Sequence, residues 1–177
     1  MEQKGFNIPV SVNVSRVDIQ NSGMCETLIN LVKKYDIPPE YLRLEITESA
    51  YMNEPHELAA AVAELRAAGF IIEMDDFGSG YSSLNALKDL DIDVLKLDMK
   101  LVSEIGDGNE KNDNILRNVV HMANALNMSV IAEGVETEVQ AGYLKSINCN
   151  YMQGYYFSKP IKAEDIEKLF EESKNSN

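Results

Sequence analysis

The chain has 177 residues, of which 45% are hydrophobic, and its formal net charge is −13. This length suits one globular domain, and the apolar content is enough to build a substantial core. Because no segment concentrates Lys or Arg, the acidic charge argues against a DNA or RNA groove and against an anionic membrane surface as partner. A small anionic substrate would need a cation to mediate its binding.

The sequence pattern favours a cytoplasmic setting. No apolar run approaches the roughly 18 residues of a membrane span, and no signal-peptide pattern opens the chain. Cys25 and Cys149 form neither a CxxC motif nor a disulfide framework, so a reducing cytoplasm is the simplest setting. His56 and His121 have no partner at ligand spacing, which argues against a zinc site.

Apolar periodicity and turn signals predict six strands that alternate with helices. The strands are predicted at residues 9–15, 42–48, 71–76, 94–98, 128–133 and 151–154. The helices are predicted at residues 24–35, 55–68, from about 84, 112–126, 137–145 and 163–172. Thr137 and Gln140 have the spacing of a capping box at the start of one of these helices. Residues 1–5 resemble the last turn of a helix whose body is absent, and the polar tail 173–177 is predicted to be disordered.

This order of elements predicts an α/β fold in which helices cover a parallel sheet. A closed barrel of eight strands is the natural form of a long βα series, yet the pattern supplies six. Either the sheet is open, or about two βα units are missing from the amino end. The predicted helix end at residues 1–5, which has no helix body before it, favours missing units. Residues 1–172 are therefore predicted to form one TIM-barrel-like domain that is incomplete and has no internal boundary.

Oxygen-bearing side chains recur near the carboxyl ends of the predicted strands, where parallel α/β proteins place their chemistry. They are Asn13, Glu45, Asp75, Asp76, Asp98 and Glu133. For the acidic stretch at residues 75–80 alone, turn formation is an alternative explanation, but turn chemistry does not predict oxygen ligands on five strands. Oxygen ligands of this kind suit Mg²⁺ or Mn²⁺, and one or two such ions could activate a water at neutral pH.

Lys96 lies within the fourth predicted strand, on the same face as Asp98. A lysine among Val94, Leu95 and Leu97 is poorly placed for solvent, which favours a functional role. Its ammonium could orient a water or neutralise charge that develops during a reaction.

Six motifs occur in an order that resembles the EAL-domain family, phosphodiesterases that linearise cyclic di-GMP. The resemblance covers residues 7–160 and rests on Ser11-Val12-Asn13-Val14-Ser15, Glu45-Ile46-Thr47-Glu48-Ser49, Asp75-Asp76-Phe77-Gly78-Ser79-Gly80-Tyr81-Ser82-Ser83-Leu84, Leu95-Lys96-Leu97-Asp98, Ala132-Glu133-Gly134-Val135-Glu136-Thr137 and Gln153-Gly154-Tyr155-Tyr156-Phe157-Ser158-Lys159-Pro160. It implies a modified TIM barrel, cyclic di-GMP as substrate and linear pGpG as product. It also implies that Asn13, Glu45 and Asp75 ligate the metal, with Asp76 serving a second ion or its water.

The same resemblance implies roles for residues around the metal. Lys96 would hold the catalytic water, and Glu133 would be the general base. Glu136 and Gln153 would support the site, as Asp98 is expected to do from its place beside Lys96. Glu48 would anchor the loop 76–83, which in the family couples the metal site to dimerisation.

The chain also departs from the family pattern. The naming motif Glu-Ala-Leu, whose glutamate is a metal ligand and whose following arginine contacts substrate phosphate, is not in this sequence. Glu73 stands where the family usually has a small residue, and Met99 replaces a common arginine. A barrel that lacks two strands would expose two strand edges, which predicts a homo-oligomer or strand exchange.

Three functional hypotheses remain from the sequence. The first is a cyclic di-GMP phosphodiesterase, represented here by a fragment or by a chain whose missing part lies upstream, so that efficient turnover by this chain is not expected. The second is a non-catalytic cyclic di-GMP receptor or protein-interaction module on the same scaffold. The third is an unrelated βα domain whose acids only form turns.

Overall fold

Six parallel strands form one sheet in the order β1 to β6. The computed structural model describes residues 8–21, 23–53, 55–78, 83–106, 108–163, 165–166 and 168. The strands are β1 Val10–Asn13, β2 Leu42–Thr47, β3 Ile72–Phe77, β4 Val94–Leu97, β5 Ser129–Ala132 and β6 Tyr151–Met152. Each strand pairs with the next one along the chain, which makes a half-barrel with β1 and β6 at its edges. The predicted TIM-barrel-like fold with six strands is thereby confirmed.

The connections between the strands contain eight α-helices within the described residues. They are α1 Arg16–Gln20, α2 Met24–Lys34, α3 Glu48–Asn53, α4 Pro55–Ala67, α5 Ser83–Asp89, α6 Met99–Ser103, α7 Glu110–Ala125 and α8 Glu138–Ser146, with a 3₁₀ turn at Pro39–Tyr41. No helix in the described part of the chain is long and apolar enough to cross a membrane.

The two faces of the sheet differ in polarity because side chains alternate along each strand. Apolar residues at alternate positions of β2, β3 and β4, for example Leu44, Met74 and Leu95, are fully buried. They belong to one hydrophobic core that includes Leu58 and Val62 of α4. The intervening residues face the inside of the half-barrel, which we call the lumen. This face carries the polar side chains of the candidate site.

The structure contains short elements that the sequence pattern does not predict. Helices α1, α3 and α6 have five or six residues each, too few for a helical period to appear in the sequence. Helix α1 begins at a capping box in which Ser15 and Asp18 bond each other's backbone N–H groups. Glu48, predicted as the last residue of a strand, is instead the buried first residue of α3.

Predicted element ends differ from the observed ones by a few residues. Strand β1 covers 10–13 rather than 9–15, and β6 covers 151–152 rather than 151–154, because each is an edge strand with one paired side. Helix α7 begins at Glu110 rather than 112, after Asn109 caps it by accepting a bond from the Lys111 N–H. The capping box at Thr137 and Gln140 is confirmed.

Three terminal predictions fall partly or wholly outside the described residues. The predicted helical turn at 1–5 and the predicted disordered tail 173–177 lie there entirely. Within the predicted helix 163–172, the described positions 163, 165, 166 and 168 are helical.

Candidate active site

Three carboxylates from different parts of the sheet contact one buried ammonium. The Nζ atom of Lys96 lies 2.8 Å from Glu45 Oε1, 3.1 Å from Asp75 Oδ1 and 2.9 Å from Glu133 Oε1. The side chain of Lys96 is 8% exposed, whereas those of the three acids are 13 to 22% exposed. We call these four residues the Lys96 cluster. Each acid therefore keeps some access to solvent.

Strand register brings the cluster together. Glu45 of β2 is paired with Asn13 of β1 on one side and with Glu73 of β3 on the other. Asp75 follows two positions after Glu73 and therefore points to the same face. Glu133 is the first residue after β5, and its backbone N–H still donates to Leu97 O of β4. The register of strands β1 to β5 thus places their polar side chains at the same end of the lumen.

A β-bulge shapes the tip of β3. Met74 pairs with Leu95 and Phe77 with Leu97, so β3 advances three residues where β4 advances two. The extra residue falls at Asp75–Asp76, and Asp76 adopts a left-handed φ of 58°, a conformation that Asp tolerates better than most residues. The Asp76 N–H donates to Asp75 Oδ1 at 3.0 Å. Asp76 is exposed beside the cluster and is not one of the acids that contact Lys96.

The charge balance of the cluster shifts the pKa values of its members. Burial opposes the charge of Lys96, but its hydrogen bonds to Glu45 and Glu133 and the charges of Glu133 and Asp75 outweigh burial and raise the pKa of Lys96. Burial also raises the pKa of Glu133, and the charges of Asp75 and Glu45 add to this, while Lys96 acts in the opposite direction. Three acids around one ammonium therefore raise the pKa of the ammonium, which stays charged, and the pKa of the Glu133 carboxyl, which holds its proton to higher pH.

Asp76 is also perturbed. Asp76 is exposed as a residue, but partial burial of its carboxylate raises its pKa, as do the charges of Asp75 and Asp98, whereas Lys96 and Lys100 act to lower it. Asp98 itself is buried and caps helix α6, where it accepts a bond from the Lys100 N–H at 2.7 Å. The structure therefore gives Asp98 a capping contact, close enough to Asp76 to affect its charge.

The remaining predicted site residues are spread around the cluster. Asn13 is exposed next to Glu45 at the edge of the sheet. Glu136 is exposed in the loop after β5, and its backbone N–H donates to Gln140 Oε1 at 2.8 Å. Glu48 is buried at the start of α3. Residues 79–82 of the loop that Glu48 is predicted to anchor lie outside the described residues.

A small cavity of 210 Å³ lies in the lumen beside the Lys96 cluster. Its polar lining comes from Ser11, Arg43, Glu45, Glu73, Lys96 and Gln153. Ser11 belongs to one of the sequence motifs, but neither Ser11 nor Arg43 is a predicted site residue. A period-two reading of β1 and β2 could have found them, because each stands two positions before a predicted site residue on the same face.

The donor set fits a hard divalent cation in its chemistry. Glu45 and Asp75 both direct carboxylate oxygens at one cationic nitrogen, and Asn13 and Asp76 add oxygen atoms at the same end of the sheet. Mg²⁺ and Mn²⁺ prefer such ligands. However, no group of three His, Cys, Asp or Glu within the described residues is arranged as a ready metal site. In this geometry Lys96 occupies the point where the carboxylates meet.

Comparisons with known proteins agree on one family. The model of the EAL domain matches residues 1–160. The cyclic di-GMP phosphodiesterase PA2567 of Pseudomonas aeruginosa is 34% identical over 163 residues, 91% of this chain and 28% of that protein. The chain spans 21 to 30% of the length of the first curated relatives that it matches.

Solved structures with the same fold include domains bound to cyclic di-GMP. The cyclic di-GMP complex of the MucR phosphodiesterase of Pseudomonas aeruginosa has a TM-score of 0.82 and 34% identity, and the match covers 89% of this chain and 64% of that one. The EAL domain of DcpA from Mycobacterium smegmatis has a TM-score of 0.86 and 36% identity, over 92% of this chain and 73% of that one.

Proposed function

Because the chain belongs to the EAL-domain family, whose model matches residues 1–160, we propose that it carries the site of a cyclic di-GMP phosphodiesterase. The reaction is hydrolysis of the cyclic dinucleotide to linear pGpG. The observation that carries the proposal is the convergence of Glu45, Asp75 and Glu133 on Lys96 at the strand ends. In βα barrels this is the end that holds the active site.

The metal is proposed to be Mg²⁺ or Mn²⁺, as one or two ions. Asn13, Glu45 and Asp75 would hold the first ion, and Asp76 would serve a second ion or its water. Such an ion, when bound, polarises a phosphoryl oxygen and lowers the pKa of a bound water. Oxygen donors suit these ions, and the exposed fraction of Asp75 leaves a path for entry.

Lys96 and Glu133 are proposed to handle the attacking water. The ammonium of Lys96 orients the water, and Glu133 takes its proton as the water oxygen bonds to phosphorus. The bond from phosphorus to the ribose 3′ oxygen breaks, and that oxygen takes up a proton from solvent. Burial of Glu133 raises its pKa, which brings a carboxylate closer to the range that suits a general base.

Other residues are proposed to support this arrangement. Gln153 lines the lumen cavity with Lys96 and can contact the ligand or the cluster. Glu136 lies in the loop that begins at Glu133, and Gln140 holds that loop through the Glu136 N–H. Asp98 fixes the start of α6 next to β4. Glu48 would anchor the loop that follows β3.

A non-catalytic cyclic di-GMP receptor is the second candidate. It is favoured by the position of Lys96, whose ammonium lies where Glu45, Asp75 and Glu133 converge and would compete with an ion for their oxygens. A receptor would bind cyclic di-GMP without turnover, and binding would survive Asp75→Ala and Asp76→Ala. A phosphodiesterase would lose turnover in both variants.

Chromatography of cyclic di-GMP incubated with Mg²⁺ or Mn²⁺ tests the proposal. It should be run on this chain and on a chimera that adds the part of the DcpA EAL domain that the chain does not match. Formation of pGpG by either protein, lost in Asp75→Ala, supports the phosphodiesterase. Absence of pGpG from both proteins would refute it, and calorimetry would then decide for or against the receptor.

A cytoplasmic setting and self-association are also proposed. Both cysteines are buried free thiols, which suits a reducing compartment. The two sheet edges carry exposed apolar side chains, Val10 on β1 and Tyr151 on β6. Pairing of these edges between copies would cover them, and sedimentation over a range of concentrations would detect it.

A further inference from the structure

A second ion pair lies in the lumen below the Lys96 cluster. Arg43 Nη1 is 3.1 Å from Glu73 Oε1, and the Ser11 hydroxyl donates to Glu73 Oε2 at 2.9 Å. Glu73 is 1% exposed and almost completely shielded from water. Protein groups bind both of its carboxylate oxygens. The Nε atom of Arg43 is buried and has no hydrogen-bond partner among the described residues. Arg43, which lines the lumen cavity, therefore keeps one donor without a partner among the described residues.

The ion pair of Arg43 and Glu73 lies two residues before the candidate metal ligands Glu45 and Asp75 on the same faces of β2 and β3. Arg43 precedes Glu45 by two residues on the same face of β2, a separation of about 7 Å along a strand. Glu73 is in register with Glu45 and precedes Asp75 by two residues. Among the described residues, Glu45 and Glu73 are the carboxylates that line the 210 Å³ cavity with Arg43 and Lys96. Glu45 thus has the ammonium of Lys96 bonded to it, and the guanidinium of Arg43 lies within the reach of its side chain.

We propose that Glu73 is a positioning residue that holds Arg43 away from Glu45. The inference rests on the proposed function, because that function assigns Glu45 to the metal. The Arg43 side chain is 32% exposed, but its Nε atom is buried. A partly buried guanidinium that loses its counter-ion is unfavourable and turns to the next acceptor. If Glu73 is removed, that acceptor is Glu45. Arg43 then neutralises Glu45 and occupies its oxygens, so Glu45 is no longer free to share between Lys96 and an incoming cation.

This role differs from a purely structural one in a measurable way. If the pair only stabilises the fold, loss of Glu73 lowers stability and leaves cation binding by the folded protein unchanged. If Glu73 restrains Arg43, cation binding falls when Arg43 is left alone and returns when Arg43 is also removed. Replacement of both members of a buried ion pair by apolar residues is often tolerated, which makes the double variant a suitable rescue.

Calorimetric titration with Mn²⁺ tests the proposal in four variants of the full chain. We expect Glu73→Leu to weaken Mn²⁺ binding about tenfold or more, the size of effect that residues behind metal ligands usually have. The double variant Arg43→Leu with Glu73→Leu should return to within about threefold of the parent. Glu73→Gln keeps the side-chain shape and should show a smaller loss in the same direction, which covers a failure of Glu73→Leu to fold. Arg66→Leu, which breaks an ion pair with Asp93 outside the lumen, should leave binding unchanged.

Equal Mn²⁺ affinity in the parent and in both Glu73 variants would overturn the proposal, as would a double variant that binds as weakly as Glu73→Leu.

A crystal structure of Glu73→Leu without metal gives a readout that does not depend on the proposed function. Arg43 bonded to Glu45 in that structure supports the proposal, and Arg43 turned to solvent overturns it. A parent chain that binds no Mn²⁺ counts against the proposed metal site, and the crystal structure then still decides the role of Glu73.

Discussion

Lys96 Nζ lies 2.9 Å from Glu133 Oε1 and joins strand β4 to the loop that follows β5. The same ammonium also contacts Glu45 of β2 and Asp75 of β3. One side chain therefore holds three acids together that would otherwise repel one another in a partly buried site. We therefore expect both the stability of the fold and the proposed chemistry to depend on this ammonium.

Replacement of Lys96 by methionine is expected to destabilise the protein. The variant keeps the length of the side chain but leaves Glu45, Asp75 and Glu133 without their cation. Loss of one member of a buried ion pair costs about 3 kcal/mol or more, and urea unfolding would measure it. Added Mg²⁺ should recover part of the loss, since the three acids then attract a divalent ion.

The matched control is Lys168→Met. Lys168 is 71% exposed and contacts Asp165 at 2.9 Å, and such a surface pair contributes less than about 0.5 kcal/mol. The same urea midpoint for Lys96→Met and the parent would show that Lys96 does not stabilise the cluster.

Gly154→Ala is expected to displace the loop that carries Glu133. A Cβ at Gly154 would lie 2.1 Å from Val135 O and 2.3 Å from Val135 N, both of them backbone atoms. Val135 also bonds the backbone of Gln153 and Tyr156, so the clash falls on the contact between two loops at the site. We expect a loss of about 2 kcal/mol or more in unfolding free energy together with a loss of turnover.

Gly142→Ala provides the control for this glycine. A Cβ at Gly142 in helix α8 would meet no atom within 4 Å, so alanine should stabilise the helix by about 0.5 to 1 kcal/mol. Equal effects of the two substitutions in urea unfolding would contradict the close contact at Gly154.

The two thiols are expected to react slowly in the folded protein. Burial raises the pKa of Cys149 to about 11, and burial together with Glu64 raises the pKa of Cys25. A raised pKa leaves less thiolate at a given pH, and the thiolate is the species that reacts. Alkylation at pH 8 should therefore be much slower in native buffer than in urea, as mass spectrometry would show. A native rate equal to the unfolded rate would rule out this burial.

The sequence predicts strands well where they are buried on both sides. Strands β2 to β5 each carry apolar residues at the positions that pack on the core, and each is paired with a neighbour on both sides. Edge strands β1 and β6 pair on one side, so their paired length could not be inferred from composition. Helices α1, α3 and α6 are too short to show a period, and their starts depend on caps such as Asp98.

The sequence places the candidate site residues near the strand ends, but it does not predict which of them are in contact. The convergence on Lys96 depends on register and on a bulge at Asp75–Asp76, and neither can be read from side-chain alternation. The pairing of Glu73 with Arg43 required the same register, since the two residues are 30 positions apart in the sequence.

The proposal that Lys96 and Glu133 act on the attacking water is tested most directly by the rate of pGpG formation in Glu133→Gln. The measurement is chromatography of cyclic di-GMP turnover with Mg²⁺ or Mn²⁺, on the chain and on its DcpA chimera, with and without the substitution. Loss of a general base should slow turnover about 100-fold or more, because the amide cannot take the proton. The same rate of pGpG formation with and without the substitution would contradict the assignment of Glu133.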